Sequence, residues 1–308
     1  MPLSLAWMIT RVTISIAKIR INGFGESTML LSNYHMHCHY CDGKGTPKEM
    51  VDKAVSLGFK SVGFSSHAPL PFDNDFCMLA ENLEAYVADI KQQKDRSDID
   101  VYLGLEIDFI VGLTAPSDTK WDAYPLDYKI GSVHTLDAPN ERYSMLSVDG
   151  PHDEFKVLLD EVHNGSARSM IEVYYQRVRE LCEAGGFDIL GHYDLVKKHN
   201  KALAFFDEQD SWYQEIAIAT LDAVAKAGVI LEVNYGGVLR GATDDVYPSP
   251  WLLKHAKAKN IPVQINADAH APHHLGVYHE KCREILLEVG YQQQRVLLDG
   301  NWQDVSIL

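Results

Sequence analysis

Residues 229–270 read "VILEVNYGGVLRGATDDVYPSPWLLKHAKAKNIPVQINADAH". Two short aliphatic, β-branched runs, 229–237 and 261–270, flank a helical stretch at 250–260. A helix inserted between two strands predicts that the strands run parallel in one sheet. The second run ends in a carboxylate and an imidazole, Asp268 and His270.

The same alternation extends back along the chain. "MLLSNYHMH" (29–37), "KSVGFSSHA" (60–68), "DVYLGLEIDFI" (100–110), "DYKIGSVHTLD" (127–137) and "FDILGHYDLV" (187–196) read as strands. "TPKEMVDKAVSLG" (46–58) reads as a helix, with Thr46 as N-cap, Pro47 in the first turn, Glu49 at the capping-box position and Gly58 as C-cap. Further helices are expected at 83–93, 170–185, 212–228 and 274–290. An insertion at 138–168, with scattered Gly, Pro, His, Asn and Ser, reads as irregular. Seven strand–helix units of this length close most naturally into a barrel of TIM-like type, an α/β fold. No linker or low-complexity tract divides the remainder, so residues 29–308 are expected to form one domain. Residues 1–28 are apolar and basic, with the first acid at Glu26, and read as an extension outside the fold. As a targeting segment they are interrupted by Arg11, Lys18 and Arg20 and lack a clear cleavage site.

The formal net charge is −15, which argues against a nucleic-acid groove. It leaves room for an anionic substrate, because bound metal ions reverse the local sign. No apolar run is long enough to span a membrane. Five cysteines do not make a disulfide framework in a chain of this length, so a cytoplasmic location is expected. Cys38 and Cys41 form a C-x-x-C without a second such pair. They read as buried thiols rather than as a zinc ribbon.

"NYHMHCHYCDGKG" (33–45) places His35, His37 and His39 at alternate positions, one face of an extended strand. The other strands end comparably: His67 after the second, Glu106 in the third, His134 after the fourth, His192 after the fifth, Arg240 beyond the sixth. In a parallel barrel these ends converge on one mouth. Burying so many polar groups unsatisfied costs about 1–3 kcal/mol each. Metal ions satisfy them together. Imidazole and carboxylate donors without a convincing thiolate suit Zn²⁺, Fe²⁺ or Mn²⁺. His35, His37, Asp42, His67, Glu106, His134, His192, Asp268 and His270 are enough for two to three divalent ions.

The ordered set "HMHCHYCDG", "SSHAPLPF", "GLEIDF", "GSVHTLD", "GHYDL", "NYGGVLRG…YPSP" and "NADAHAP" resembles the polymerase-and-histidinol-phosphatase (PHP) family, and within it the monofunctional histidinol-phosphate phosphatases. The resemblance implies a distorted (β/α)7 barrel with three metal ions at the C-terminal ends of the strands. It implies that His35 and His37 hold the first metal with Asp268, and that Glu106 bridges the first and second. His134 and His192 match the other ligands of the second, His67 and His270 those of the third. Many relatives place a further histidine where this chain has Gly43; Asp42, one residue earlier, is assigned in its place. His39 is extra to the pattern and reads as a residue packing near the ligands or lining the barrel rim. His273 and His274 read as solvated or supporting residues, and His152, His163, His199, His255 and His279 as surface residues.

Arg240, in "GGVLRG", reads as a fork for a phosphate oxygen pair. Arg168 in the insertion is a second candidate for substrate binding; Lys197 and Lys198 are weaker ones. The expected activity is metal-assisted hydrolysis of a phosphomonoester, in which bound ions lower the pKa of a water, with Glu106, Asp268 and Arg240 as the catalytic set. The resemblance implies L-histidinol phosphate as substrate, in histidine biosynthesis. Two other readings stand beside it: a phosphoesterase of the same fold acting on nucleotides or phosphotyrosine, distinguished by loops 68–80 and 138–168, and a metal-binding regulatory module, which a complete ligand set disfavours.

Overall fold

The computed structural model describes residues 31–72, 74–137, 140 and 146–308. The expected extension at 1–28 lies outside the described residues. Seven strands run parallel in chain order: β1 (Ser32–Asn33), β2 (Ser61–Phe64), β3 (Asp100–Asp108), β4 (Tyr128–Ser132), β5 (Ile189–Leu190), β6 (Ile230–Asn234) and β7 (Val263–Asn266). Helices Pro47–Ser56, Leu83–Lys94, Ala167–Ala184, Ser211–Ala227, Pro250–Ala258 and His279–Glu288 accompany the strands.

The first of these helices shows how local chemistry sets an element. Thr46 Oγ1 accepts from the Glu49 amide at 3.2 Å, and the Glu49 carboxylate accepts from the Thr46 amide at 2.8 Å, a closed capping box. Met50, Val51 and Ala54 are then buried on one face. The helix ends at Leu57, and Gly58 reverses the chain at φ +83°.

The crossover from β3 to β4 carries a 3-10 turn, Thr119–Ala123. Two expectations are revised. The 138–168 insertion contains a helix, His152–Val157, that runs on into a wider turn, Leu158–Val162. The first strand is also shorter than its alternating histidines suggested. Its ladder with β2 covers Ser32 and Asn33, and His39 lies in a turn and is exposed.

The seam between β1 and β7 is closed unusually. One bridge pairs Met36 with Ala269, through His37 N to Ala269 O (2.8 Å) and Ala269 N to His35 O (3.2 Å). Before it, two carboxamides stand in for ladder carbonyls. Tyr34 N donates to Asn266 Oδ1 at 2.7 Å, and Ala267 N donates to Asn33 Oδ1 at 2.6 Å.

At the opposite end of the strands from the histidines lies a hairpin that the sequence reading missed, β8 (Gln293–Leu298) and β9 (Asn301–Ser306). Its turn is Asp299-Gly300, with φ +49° and +73°. Asp-Gly between extended runs is a strong hairpin signal, so the signal was present. Val296, Leu297 and Trp302 pack on Tyr34, Tyr102, Tyr128, Ile189 and Ile230. Leu297 O accepts from Ser61 Oγ (2.8 Å) and Tyr34 Oη (3.1 Å). The hairpin is the floor of the barrel.

Candidate metal centre

Glu106, on β3 and buried, organises the site. Its Oε2 lies 3.1 Å from His35 Nε2, 3.1 Å from His67 Nδ1 and 3.6 Å from His37 Nε2. Its Oε1 lies 3.0 Å from His192 Nε2 and 3.5 Å from His134 Nε2, and accepts from Ser132 Oγ at 2.6 Å. One carboxylate thus serves two imidazole groups, one per oxygen. Asp268 Oδ1 is 3.3 Å from His37 Nε2 and 3.4 Å from His270 Nδ1. Asp42 Oδ2 is 3.1 Å from His270 Nε2.

Three overlapping sets have ligand atoms within 4.8 Å of one another: His37, Asp42, His67 and His270; His35, His37 and Glu106; His67, Glu106 and His134. His192 and Asp268 adjoin them through the contacts above. The nine candidate ligands therefore come together. Metal ions fit this donor set. His37 Nε2 and Asp42 Oδ1 are buried without a hydrogen-bond partner among the described residues, a costly arrangement unless a cation completes it.

At Gly43, where the resemblance leads one to expect a histidine, a side chain has no room. A Cβ there would stand 2.5 Å from Cys38 N and 2.6 Å from the His37 carbonyl carbon. No side chain fits, and Asp42 reaches His270 instead.

The electrostatics follow from this crowding. Burial alone would raise the Glu106 carboxyl, but His35, His67 and His134 hold it well below its ordinary range. Asp268 is likewise held low against its burial by Arg240, His35 and His37. Burial and the neighbouring His270 and His67 push His37 down to about 3. His134 moves up to about 10: Asp108, Asp149 and Glu106 outweigh its burial. Asp268 also adopts a left-handed backbone, φ +50°, which is uncommon for a non-glycine and typical of functional sites.

Arg240 lines the mouth with its side chain 33% exposed, its Nη2 donating to Asp268 Oδ2 at 3.0 Å. A Cβ at Gly236 would meet that Nη2 at 2.8 Å and Asp268 Oδ2 at 2.9 Å, so the ion pair needs glycine there. The structure does not bring Arg168 to the mouth. It is exposed in the first turn of its helix, paired with Glu172 at 2.8 Å and lying over the Trp212 ring. Lys198 lines the mouth, donating to Asp149 O at 2.6 Å, whereas Lys197 is buried against Val246 O and Asp194.

His39 is exposed beside Tyr40. His273 is exposed, and His274 Nδ1 accepts from the His270 amide at 3.3 Å. His163, His199 and His279, expected at the surface, are buried. Burial pushes the Cys38 and Cys41 thiols up to about 11 and 12, away from thiolate ligation.

Two carboxylates of the site escaped the sequence reading. Asp108 Oδ1 lies 2.5 Å from His134 Nδ1, and Glu232 Oε1 lies 2.6 Å from His35 Nδ1. Asp108 stands two residues beyond Glu106 on β3, so strand alternation placed it on the same face. Glu232 was visible only as an acid inside the apolar run "ILEVN". The cleft above these residues has a volume of about 1180 Å³, and its lining includes Leu70, Phe72 and Phe76 together with Asp149 and Glu154 from the insertion.

The PHP domain family matches residues 33–236, more than half of the chain. The chain belongs to the PHP family. A probable histidinol-phosphatase of Deinococcus radiodurans is 32% identical over 265 residues, covering 84% of this chain and 94% of that one. The histidinol-phosphatase of Bacillus subtilis is 28% identical over 267 residues, 81% and 97% of the two chains. The crystal structure of histidinol phosphate phosphatase from Lactococcus lactis, complexed with Zn, L-histidinol and phosphate, aligns with a TM-score of 0.67 at 20% identity, over 88% of this PHP chain and 98% of that one. The expected seven-stranded PHP barrel is therefore borne out. Among the described residues, no helix of this PHP protein is long and apolar enough to cross a membrane.

Proposed function

We propose that this PHP-family chain is a metal-dependent phosphomonoester hydrolase acting on L-histidinol phosphate, with L-histidinol and phosphate as products, in histidine biosynthesis in the cytoplasm. The observation that carries the reading is Glu106, shared between two imidazole groups at the floor of an open cleft, with an arginine at its edge. The histidinol-phosphatase relatives, which match this chain over more than four-fifths of its length, support the substrate.

His35, His37 and Asp268, with Glu106, would hold one ion. Glu106, His134 and His192 would hold a second, and Asp42, His67 and His270 a third. Two to three divalent ions, Zn, Fe or Mn, suit these donors. When bound, such ions supply a water of lowered pKa and positive charge facing the phosphate oxygens. The chain's own residues do the rest. Arg240 is anchored by Asp268 and offers its remaining N–H groups to the phosphate. Glu106 and Asp268, held low by the surrounding cationic groups, stay ionised and so keep their oxygens available to cations.

The test is phosphate release from a panel holding histidinol phosphate, nucleoside monophosphates and phosphotyrosine, with and without added Mn²⁺ or Zn²⁺. Histidinol phosphate should give the highest kcat/KM, and only with metal. A higher value for a nucleotide or phosphotyrosine would overturn the substrate, and no release from any member would overturn the activity.

A further inference from the structure

Glu232 is fully buried on β6 and is none of the nine candidate ligands. Four groups surround its carboxylate. Oε1 lies 2.6 Å from His35 Nδ1 and accepts from Asn266 Nδ2 at 3.0 Å. Oε2 accepts from the His192 amide at 2.8 Å and from Asn234 Nδ2 at 3.0 Å. We propose that Glu232 is the positioning residue for His35: by taking the Nδ1 hydrogen it fixes the tautomer of the ring and turns Nε2 toward Glu106 and Asp268. The inference rests on the metal reading given above.

A neutral imidazole can carry its hydrogen on either nitrogen, and the partner at one nitrogen decides which. With a carboxylate at Nδ1, the hydrogen sits there and the Nε2 lone pair is free. That nitrogen lies 3.1 Å from Glu106 Oε2 and 3.8 Å from Asp268 Oδ1, where a ligand atom is wanted. The other three bonds locate the carboxylate itself. The His192 amide ties it to the end of β5, beside a second candidate ligand. Asn266 is the same side chain that receives Tyr34 N at the seam. His35 is thus held in register with β5, β6 and β7 by one acidic group. A carboxylate fits because all four neighbours donate. A glutamine has one oxygen and one NH₂, so whichever way it sits, two donors would face the NH₂.

The experiment uses the full chain loaded with zinc. Long-range ¹H–¹⁵N spectra of the histidine rings should show His35 protonated at Nδ1, with Nε2 shifted by the metal. Glu232→Gln should scramble that signature and weaken zinc binding, read by competition with a chromophoric chelator, by about 10–100-fold. Glu232→Asp, which keeps two acceptor oxygens, should recover part of both. Leu297→Ala, at the floor of the barrel and away from the candidate ligands, should lower Tm while leaving the zinc affinity and the His35 signature unchanged. A folded Glu232→Gln protein with wild-type zinc affinity and an unaltered His35 tautomer would overturn the proposal. If that variant does not fold, Glu232→Asp decides on the same two readouts. Zinc that leaves the wild-type His35 resonances unmoved would overturn the metal reading itself, a result distinct from the failure of Glu232 alone.

Discussion

Arg240 Nη2 donates to Asp268 Oδ2 at 3.0 Å while the other oxygen of Asp268 stands 3.3 Å from His37 Nε2. One carboxylate therefore touches both the proposed phosphate clamp and the proposed metal ligands. On that proposal the guanidinium is aimed by a residue of its own cluster, and substrate and ions would be placed relative to a common group.

Arg240→Ala should lower kcat/KM by roughly one to two orders of magnitude, since a charge-assisted phosphate contact is worth about 1.5–3 kcal/mol. Arg240→Lys should restore only part, because an ammonium lacks the planar fork. Metal content should not change in either. Near wild-type kcat/KM in the alanine variant would remove Arg240 from the clamp.

Protein purified without chelator should contain two to three transition-metal ions per chain by elemental analysis. Dialysis against a strong chelator should abolish turnover and lower Tm, because ions that bind only the folded chain stabilise it. A content of one ion or fewer would contradict the shared role given to Glu106.

His279 offers a pH test away from the cluster. Its Nε2 donates to Ser32 O at 2.8 Å, Tyr235 Oη lies 3.0 Å from its Nδ1, and burial pushes its pKa down to about 4. The unfolded chain takes up this proton near pH 6.5. Its contribution is thus intact above that pH and is lost as pH falls from about 6.5 toward 4, by roughly 3 kcal/mol in all. Urea midpoints of metal-free wild-type and His279→Gln protein at pH 7 and pH 4.5 measure this. The variant should lose less on acidification. Equal losses would place the titration elsewhere.

Leu297→Ala removes apolar contact from the floor while keeping the backbone groups that meet Tyr34 and Ser61. It should cost about 2–5 kcal/mol of stability. The kcat/KM should stay close to wild type below Tm, because the hairpin lies at the opposite end of the strands from the ligands. A large fall in kcat/KM without loss of stability would mean that the floor governs the mouth.

Much of this architecture was legible in the residues. Strand–helix alternation gives a parallel barrel, and a chemically active group after nearly every strand gives the mouth. What was not legible has physical reasons. His39 shares the spacing of His35 and His37, but periodicity cannot say where pairing stops, and the chain turns before residue 39. Arg168 shows that a charge in an insertion carries no direction: its helix starts there and turns it outward. Gly43 and Asp42 could be sorted only by the backbone of His37 and Cys38 lying against the glycine. Glu232 and Asp108 act through other side chains, and such pairings depend on register between strands far apart in sequence. The Asp-Gly hairpin is different, because its signal was there to be read.

The seam and the floor also set an order of events during synthesis. Tyr34 must find Asn266 and Leu297, which are 232 and 263 positions away. At roughly 5–20 residues per second, a ribosome needs on the order of ten to fifty seconds to deliver them. Throughout that interval the first strand has no partner on its outer side, a state open to chaperones and to mispairing. His35 and His37 leave the ribosome before Asp268 and His270 have been made. The proposed ion site is therefore complete only after β7 has emerged.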